Sequence, residues 1–389
     1  MQWAAAHSLE ADSVAAVEQA SSVVRDALGE GPVDLAIAFF TRPLAAPPDA
    51  LSETLKRTLS PGCRMGVSAG AVVSTEREID QGPALALIAA RLPGVEVKPF
   101  LLEPSSWGEG MDDPLEFARH TPGVERATIV ILLGDPFSLD VERVLRGFNR
   151  HAPGLPVVGG MASAGARPHS NLLMLNDWAA HEGGVAVALG GALRADVVVS
   201  QGCRPIGPPL EVTRVEQNVI FELDGQPALE RAEQVLRELP ASEQEHLKHG
   251  LYLGRPARGG SGTGRGDYLI RNLLGADRDR GALAVADRVA ARERLRFHVR
   301  DARIAREDLE MLLAPQAFDV RAEAALMFSC NGRGRAFFGE PDRDLLTLRE
   351  GLGGAVPTAG FFAAGEIGPV GGRNHLHGHT ASIAIFRKP

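Results

Sequence analysis

Residues 329–334 read SCNGRG and directly follow an apolar run. If that run is a buried strand, Cys330 and Asn331 stand at its C-terminal end, where α/β sheets present groups to ligands. Arg333 carries a planar fork that matches a carboxylate through two parallel hydrogen bonds. Gly332 and Gly334 let the backbone bend and offer N–H donors. The plain alternative is a tight turn around a buried, inert thiol, since unpaired cysteines are often simply buried. Further on, residues 360–369 (GFFAAGEIGP) set Phe361 and Phe362 beside one lone carboxylate, Glu366, in an otherwise apolar stretch. That carboxylate suits a ligand ammonium with a ring packed against it; alternatively it pairs with Arg333 or Arg373 and ties two loops together.

The tail, residues 373–380 (RNHLHGHT), places His375, His377 and His379 at alternate positions. On a strand all three share one face, so a metal is stereochemically open. Gly371, Gly372 and Gly378 point to a loop instead, and no cysteine or carboxylate with zinc spacing adjoins, so no metal is expected. Asn374, His379 and Thr380 complete the candidate ligand-binding set of Cys330, Asn331, Arg333, Phe361, Phe362 and Glu366; for His379 and Thr380 the competing role is hydrogen bonding to a loop backbone. Two other motifs fail their tests. Residues 259–266 (GGSGTGRG) lack the GxxxxGK[ST] pattern and a buried strand before them, which favours a surface loop over a phosphate cradle. Residues 66–70 (GVSAG) spell GxSxG around Ser68, yet the following STEREIDQGP leads to another strand, not to the helix of a nucleophile elbow. No catalytic residue and no cofactor is expected.

The elements that must position these groups repeat. Residues 11–28 form an amphipathic helix, 33–40 a buried strand, 51–59 a helix, and 64–74 (RMGVSAGAVVS) a strand with a small-residue bend, followed by strands at 84–91 and 95–102. The order strand, helix, Gly-Ala strand, strand recurs from residue 127 and again from residue 322, so GVSAGA, GGMASAG and GFFAAGE occupy one slot in three copies of a β-α-β-β unit. In that slot the first copy offers Ser68, Glu76 and Glu78 and the second Ser163 and Arg167, all weaker candidates. The spacing predicts mixed sheets. Between the second and third copies, residues 195–318 alternate apolar and polar residues with Pro and Gly breaks, the pattern of antiparallel strands, around a helix at 226–239.

A chain of 389 residues with 44% hydrophobic and 23% charged residues exceeds one ordinary core and is not disordered. A formal net charge of -8 disfavours a nucleic-acid surface. Cys63, Cys203 and Cys330 form no CxxC pair and no disulfide framework, which suits a reducing compartment, and no stretch has the length and apolarity of a membrane span. A cytoplasmic, soluble protein is expected.

The N-terminal region contains DLAIAFFTRP, GVSAGAVVSTEREIDQGPALALIAARLPGVEVKPF and PVVGGMASAG, and the C-terminal region DYLIRNLLGAD, GALAVADRV, RLRFHVRDARIAREDL, ALMFSCNGRGRAFFGEPDRDLLTLRE and AGFFAAGEIGPVGGRNHLHGHTASIAIF. On these strings, from residue 33 to the end, the chain resembles the FIST family, named for F-box and intracellular signal transduction proteins. The resemblance covers both an N-terminal and a C-terminal region. It implies a sensory module that binds a small metabolite such as an amino acid for signal transduction. The chain leaves no residues for a kinase, cyclase, chemotaxis or F-box partner, so a stand-alone sensor is expected.

Together these readings give an α/β chain of two domains built from repeated β-α-β-β units, with mixed β-sheets covered by helices in an αββα-like sandwich. Residues 1–32 form an N-terminal covering helix, 33–194 a FIST N-terminal domain and 195–389 a FIST C-terminal domain. The domains meet in a cleft lined by SCNGRG, GFFAAGEIGP and the histidine tail, which closes on a small-molecule ligand and is read by a signalling partner. A protein-interaction module that recruits a partner is the alternative, and a Cys330-dependent enzyme is a third.

Overall fold

The computed structural model describes residues 1–45, 47, 49–103, 109–257 and 268–389. The polypeptide divides into two compact units. One comprises residues 1–200, 309–376 and 380–389, and the other residues 201–308 with 377–379.

The first unit holds all three repeats. Repeat one runs β1 (Gln2–Ser8), α1 (Ser13–Leu28), β2 (Leu35–Thr41), α2 (Ala50–Leu59), β3 (Cys63–Ala69), β4 (Val72–Ser74), β5 (Glu78–Ile79) and β6 (Leu85–Arg91). Repeat two follows with β7 (Val95–Leu102), α3 (Pro114–His120), β8 (Ala127–Gly134), α4 (Val141–His151), β9 (Val157–Met161), β10 (Leu173–Leu175), β11 (Trp178–Ala180) and β12 (Gly184–Gly191). Repeat three opens with β13 (Arg194–Gln201), and the second unit is inserted directly after it.

The insertion supplies β14 (Cys203–Glu216), β15 (Val219–Leu223), β16 (Gln226–Pro227), α5 (Ala228–Glu238), α6 (Ala241–Gln244), β17 (Leu251–Pro256), β18 (Tyr268–Asp277), β19 (Ala282–Val285) and β20 (Arg294–Arg300). Its strands pair antiparallel in the order β14-β20-β17-β18-β19-β15-β16, and an added β14–β15 pairing closes the sheet into a barrel. Closure removes the unpaired edges that an open sheet would leave. Ile206, Leu210, Phe297 and Val299 fill the core with Ala232 and Val235 of α5. Most of the alternation read across residues 195–318 belongs to this barrel, residues 201–308, while 195–200 lie in β13 of the first unit.

Repeat three then resumes with α7 (Ala302–Leu313), β21 (Ala324–Cys330), α8 (Arg335–Phe338), α9 (Arg343–Gly351), β22 (Thr358–Ala363), β23 (Glu366–Val370), β24 (Arg373–His377) and β25 (Thr380–Arg387). The three six-stranded sheets of this unit have one plan: β1-β6-β2-β3-β10-β11, β7-β12-β8-β9-β23-β24 and β13-β25-β21-β22-β4-β5. Each is mixed, with a parallel pair at its centre (β2–β3, β8–β9, β21–β22). The last two strands of every sheet come from a different repeat. Repeat one gives β4 and β5 to the sheet of repeat three, repeat two gives β10 and β11 to that of repeat one, and repeat three gives β23 and β24 to that of repeat two. The exchange is cyclic and locks the three copies together.

The bend read within residues 64–74 is where the chain leaves one sheet for another. The inner faces of the sheets share one core that includes Phe39, Ile131, Phe328 and Phe361, while helices cover each outer face. Helix α1 shows why the cover forms. Asp12 accepts the Ala15 N–H as N-cap, Ala16, Val17, Ala20, Val24 and Leu28 bury one stripe, and Gly29 at φ 68° ends the helix. The mixed α/β class with helix-covered mixed sheets matches the sequence expectation. Strand β1 was not foreseen: residues 2–8 pair with β6 from within the segment read as a covering helix alone.

Candidate functional site

Three glycines fix how the repeats superpose. Gly66, Gly159 and Gly360 lie opposite Ala38, Leu132 and Met327 in the three parallel pairs, and a Cβ at any of them would run into that partner's carbonyl oxygen. Counting from this register, Thr41, Asp135 and Cys330 occupy one position, the C-terminal end of the middle strand. Two of the three are closed by local bonds. Thr41 Oγ1 accepts the Ala84 N–H at 2.8 Å. Asp135 accepts from Asn171 Nδ2 at 2.9 Å, from Ser138 Oγ at 2.7 Å and from the Phe137 N–H at 3.1 Å.

At the third, Cys330, the environment is ionisable. The thiol is buried and borders the Glu366 carboxyl, and the Gly332 N–H points at its sulfur at 3.4 Å. Arg333 is buried, and its fork closes on Asp344 of α9, with Nε–Oδ2 and Nη2–Oδ1 both 2.7 Å. Ser329 Oγ donates to the same carboxylate at 2.9 Å, and the Arg333 guanidinium lies 5.2 Å from the Phe338 ring centre. Burial opposes the charge on Arg333, but the Asp344 carboxylate outweighs it and holds the guanidinium more firmly protonated.

Two further carboxyls border this pair. Glu366 is fully buried, and its Oε2 accepts the Thr380 N–H at 3.0 Å and Thr380 Oγ1 at 2.8 Å. Burial pushes its pKa up to about 8 against the pull of those hydrogen bonds and of Arg333. Glu78 arrives on the exchanged strand β5. Its Oε1 accepts the Leu345 N–H at 3.1 Å, and burial, with the Asp344 charge next, pushes its pKa up to about 8. One guanidinium is thus paired with Asp344 and bordered by two carboxyls whose burial favours the protonated form.

The other predicted residues are placed as follows. Asn331 is exposed at the end of β21, and its N–H donates to Ala363 O at 2.8 Å. Phe361 lies in the shared core, stacked on Phe39 with ring centres 5.4 Å apart. Phe362 points to the helix-covered face and packs against Gly334. Asn374 is spent on holding β24 in the second repeat: Oδ1 accepts the Val157 N–H and Nδ2 donates to Leu155 O, each at 2.8 Å, while its backbone pairs with the Asn149 amide. His379, with φ 63°, belongs to the second unit, where Nε2 lies 3.0 Å from Asn272 Oδ1 and the ring 4.3 Å from that of Tyr252. Of the tail, residues 373–377 form a strand and His379 lies beyond it; among the described residues no group of three metal-ligating side chains stands together. Ser68 accepts the Leu172 N–H at 2.8 Å and is followed by strand β4, not a helix. The glycine-rich run 259–266 lies outside the described residues. Asp344, the partner of Arg333, was missed; its position in the first turn of a helix just after SCNGRG was the available signal.

Three interlocked α/β repeats, a barrel inserted in the third, and an ionisable cluster built from the first and third copies define the class of molecule. The chain belongs to the FIST family: the FIST N domain matches residues 34–226 and the FIST C domain residues 228–369. FIST domains are sensory domains of signalling proteins. An uncharacterised protein of Mycobacterium bovis is 38% identical over 379 residues, covering 96% of this chain and 95% of its own. Another, from Mycobacterium tuberculosis, is 36% identical over 375 residues, covering 95% and 96%. Among solved structures, a cyanuric acid hydrolase from A. caulinodans aligns over 100% of this chain and 99% of its own at 9% identity and a TM-score of 0.34, too slight a likeness to bear on chemistry. No helix among the described residues is long and apolar enough to cross a membrane.

Proposed function

We propose that this chain is a small-ligand-binding sensory protein of the FIST type, which takes up a small metabolite such as an amino acid and passes its occupancy to a signalling partner in the cytoplasm. The observation that carries the reading is Glu366. It is a fully buried carboxyl in a sheet core that accepts from Thr380 at Oε2 and lies against the Cys330 thiol, while Oε1 is buried without a geometric hydrogen-bond partner. An unsatisfied buried polar atom costs about 1–3 kcal/mol, and a ligand group that reached it, an acceptor for the protonated carboxyl or a cation that drew off its proton, would recover that cost. Binding would then favour the conformation that admits the ligand, which is the thermodynamic requirement for a sensor.

The test is a thermal-shift screen of free amino acids, nucleotides and common metabolites against the wild type and Glu366→Gln. A compound that raises the midpoint of the wild type and not of the variant supports the reading. No shift with any compound removes it.

A second reading, a module that recruits a protein partner, is favoured by Met311, Phe318 and Val320, which expose 56%, 93% and 60% of their surface within a short stretch of the first unit. Loss of a captured partner on Phe318→Glu with Val320→Glu would support it.

A further inference from the structure

Strand β5 carries Glu78 out of its own repeat to the edge of the sheet of repeat three, where it meets the start of α9. A cleft of about 250 Å³ opens there, lined by Arg77, Glu78, Asp80, Arg335, Pro341 and Asp342. That is just below the roughly 300–1,000 Å³ of drug-sized ligand sites, so it suits a smaller molecule.

Three features of this cleft are incomplete. The exposed guanidiniums of Arg77 and Arg335 form no hydrogen bond or ion pair with any described residue, although both line the same small space. Glu78 Oε2 is buried and without a hydrogen-bond partner, while Oε1 takes the Leu345 N–H at the head of α9. Asp342, at the N-cap position of α9, does not cap the helix with its side chain. It is held at φ 60°, and its Oδ1 accepts the Glu78 N–H at 2.6 Å. A non-glycine residue in that conformation is strained and persists where its surroundings enforce it. The Glu78 carboxyl thus takes the place of a side-chain cap at the start of α9.

We propose that this cleft binds a small organic anion through its carboxylate or phosphate group, with Arg77 and Arg335 as the clamp and Glu78 as a hydrogen-bond donor to it. Two guanidiniums without protein partners match an oxyanion bidentately. Glu78 decides the pH range. The charged groups around it are Asp344 and Arg333 on the inner side and Asp342, Asp80, Arg77 and Arg335 in the cleft. With its proton, Glu78 offers an O–H to the anion; without it, Glu78 is a third carboxylate beside Asp80 and Asp342 and repels the anion. Binding therefore holds a proton on Glu78 and weakens as that proton is lost above pH of about 8. The site does not depend on the sensory reading of Glu366, because its groups differ and its ligand is defined by charge.

The test uses isothermal titration of the full chain with inorganic phosphate and, separately, with succinate, at constant ionic strength and with chloride as control. The expected result is saturable binding of one probe at pH 7, weakened about tenfold or more in Arg77→Ala and in Arg335→Ala, and falling toward tenfold per pH unit above pH 8. Phosphate alone binding assigns a phosphate group, and succinate alone a carboxylate. In Glu78→Gln, which keeps a donor and cannot ionise, binding persists and the decline above pH 8 disappears. Absence of binding by either probe from pH 6 to 9, or equal binding in the two arginine variants, overturns the proposal. A ligand shift abolished by Glu366→Gln and untouched by either arginine variant would leave the sensor standing and remove this site.

Discussion

Arg333 and Asp344 face each other eleven positions apart in sequence, fully buried, through two parallel 2.7 Å hydrogen bonds that join the turn after β21 to the first turn of α9. The carboxylate that a free fork at Arg333 could have taken from a ligand is already supplied by the protein. Removing one member of a buried pair strands the other charge, at a cost of about 3–5 kcal/mol, whereas removing both spares that cost. Arg333→Ala is expected to lower stability by that amount in urea denaturation, and Arg333→Met with Asp344→Leu to recover most of it. Equal losses in the single and double variants would show that the pair is not what the fold depends on.

The same cluster makes stability depend on pH with a definite sign. Glu366 has a folded pKa of about 8 against an ordinary value of 4.5. Below 4.5 both states hold the proton and the group costs nothing. Between 4.5 and about 8 only the unfolded state releases it, so stability falls by up to about 1.4 kcal/mol per pH unit; above 8 the loss is complete and constant. Glu366→Gln is therefore expected to stabilise the protein at pH 8 and to flatten part of the fall between pH 5 and 8, with little effect at pH 4. Parallel stability curves for the two proteins across that range would contradict the buried, protonated state.

Part of this was legible in the sequence, and the part that was not has a physical reason. The three copies were visible because a buried strand, a helix and a Gly-Ala strand leave the same hydrophobic pattern each time. Glu366 was visible as one carboxylate in an apolar stretch, and its bond to Thr380 joins two residues already singled out. The exchange of strands was invisible, because β4 and β5 carry no local mark of which sheet they will join. Glu78 therefore read as a weak candidate of the first copy, although it lies against Leu345 of the third. The structural role of Asn374 was hidden for a related cause: periodicity shows a polar residue near a glycine turn, not the backbone groups of another repeat that claim it.

Asn374 supplies the next prediction. Its side chain satisfies the Val157 N–H and the Leu155 carbonyl, so Asn374→Ala leaves two backbone groups without partners. Each costs about 1–3 kcal/mol. The variant is expected to lose stability in denaturant and to expose β9 and β24 to amide hydrogen exchange. Binding of any small ligand to the folded fraction should be unchanged, and a selective loss of affinity would return Asn374 to the ligand site.

The repeat register can be tested at its tightest points. At Gly159 and Gly360 an added Cβ would fall on the carbonyl oxygens of Leu132 and Met327, which are backbone atoms of the adjacent parallel strand and cannot move without breaking the ladder. Gly159→Ala and Gly360→Ala are each expected to leave little folded protein. Gly82→Ala, where nothing lies within 4 Å of the added carbon, is strained only by its φ of 81° and should cost about 1 kcal/mol. A cooperative, near-native unfolding curve for either core variant would mean that the strands part more easily than their spacing implies.

The thiols provide a last check on the third repeat. Cys63, Cys203 and Cys330 are all buried, and burial pushes the Cys63 thiol up to about 12. A nucleophilic cysteine needs thiolate and access, and burial favours the protonated form of the Glu366 carboxyl beside Cys330, which makes it a poor base there. Alkylation by iodoacetamide at pH 7.5, followed by peptide mapping, is expected to be slow at all three positions in the native protein and fast in urea. Rapid, selective labelling of Cys330 would instead show that the end of β21 opens to solvent in the native state, and it would restore the thiol as a candidate for chemistry.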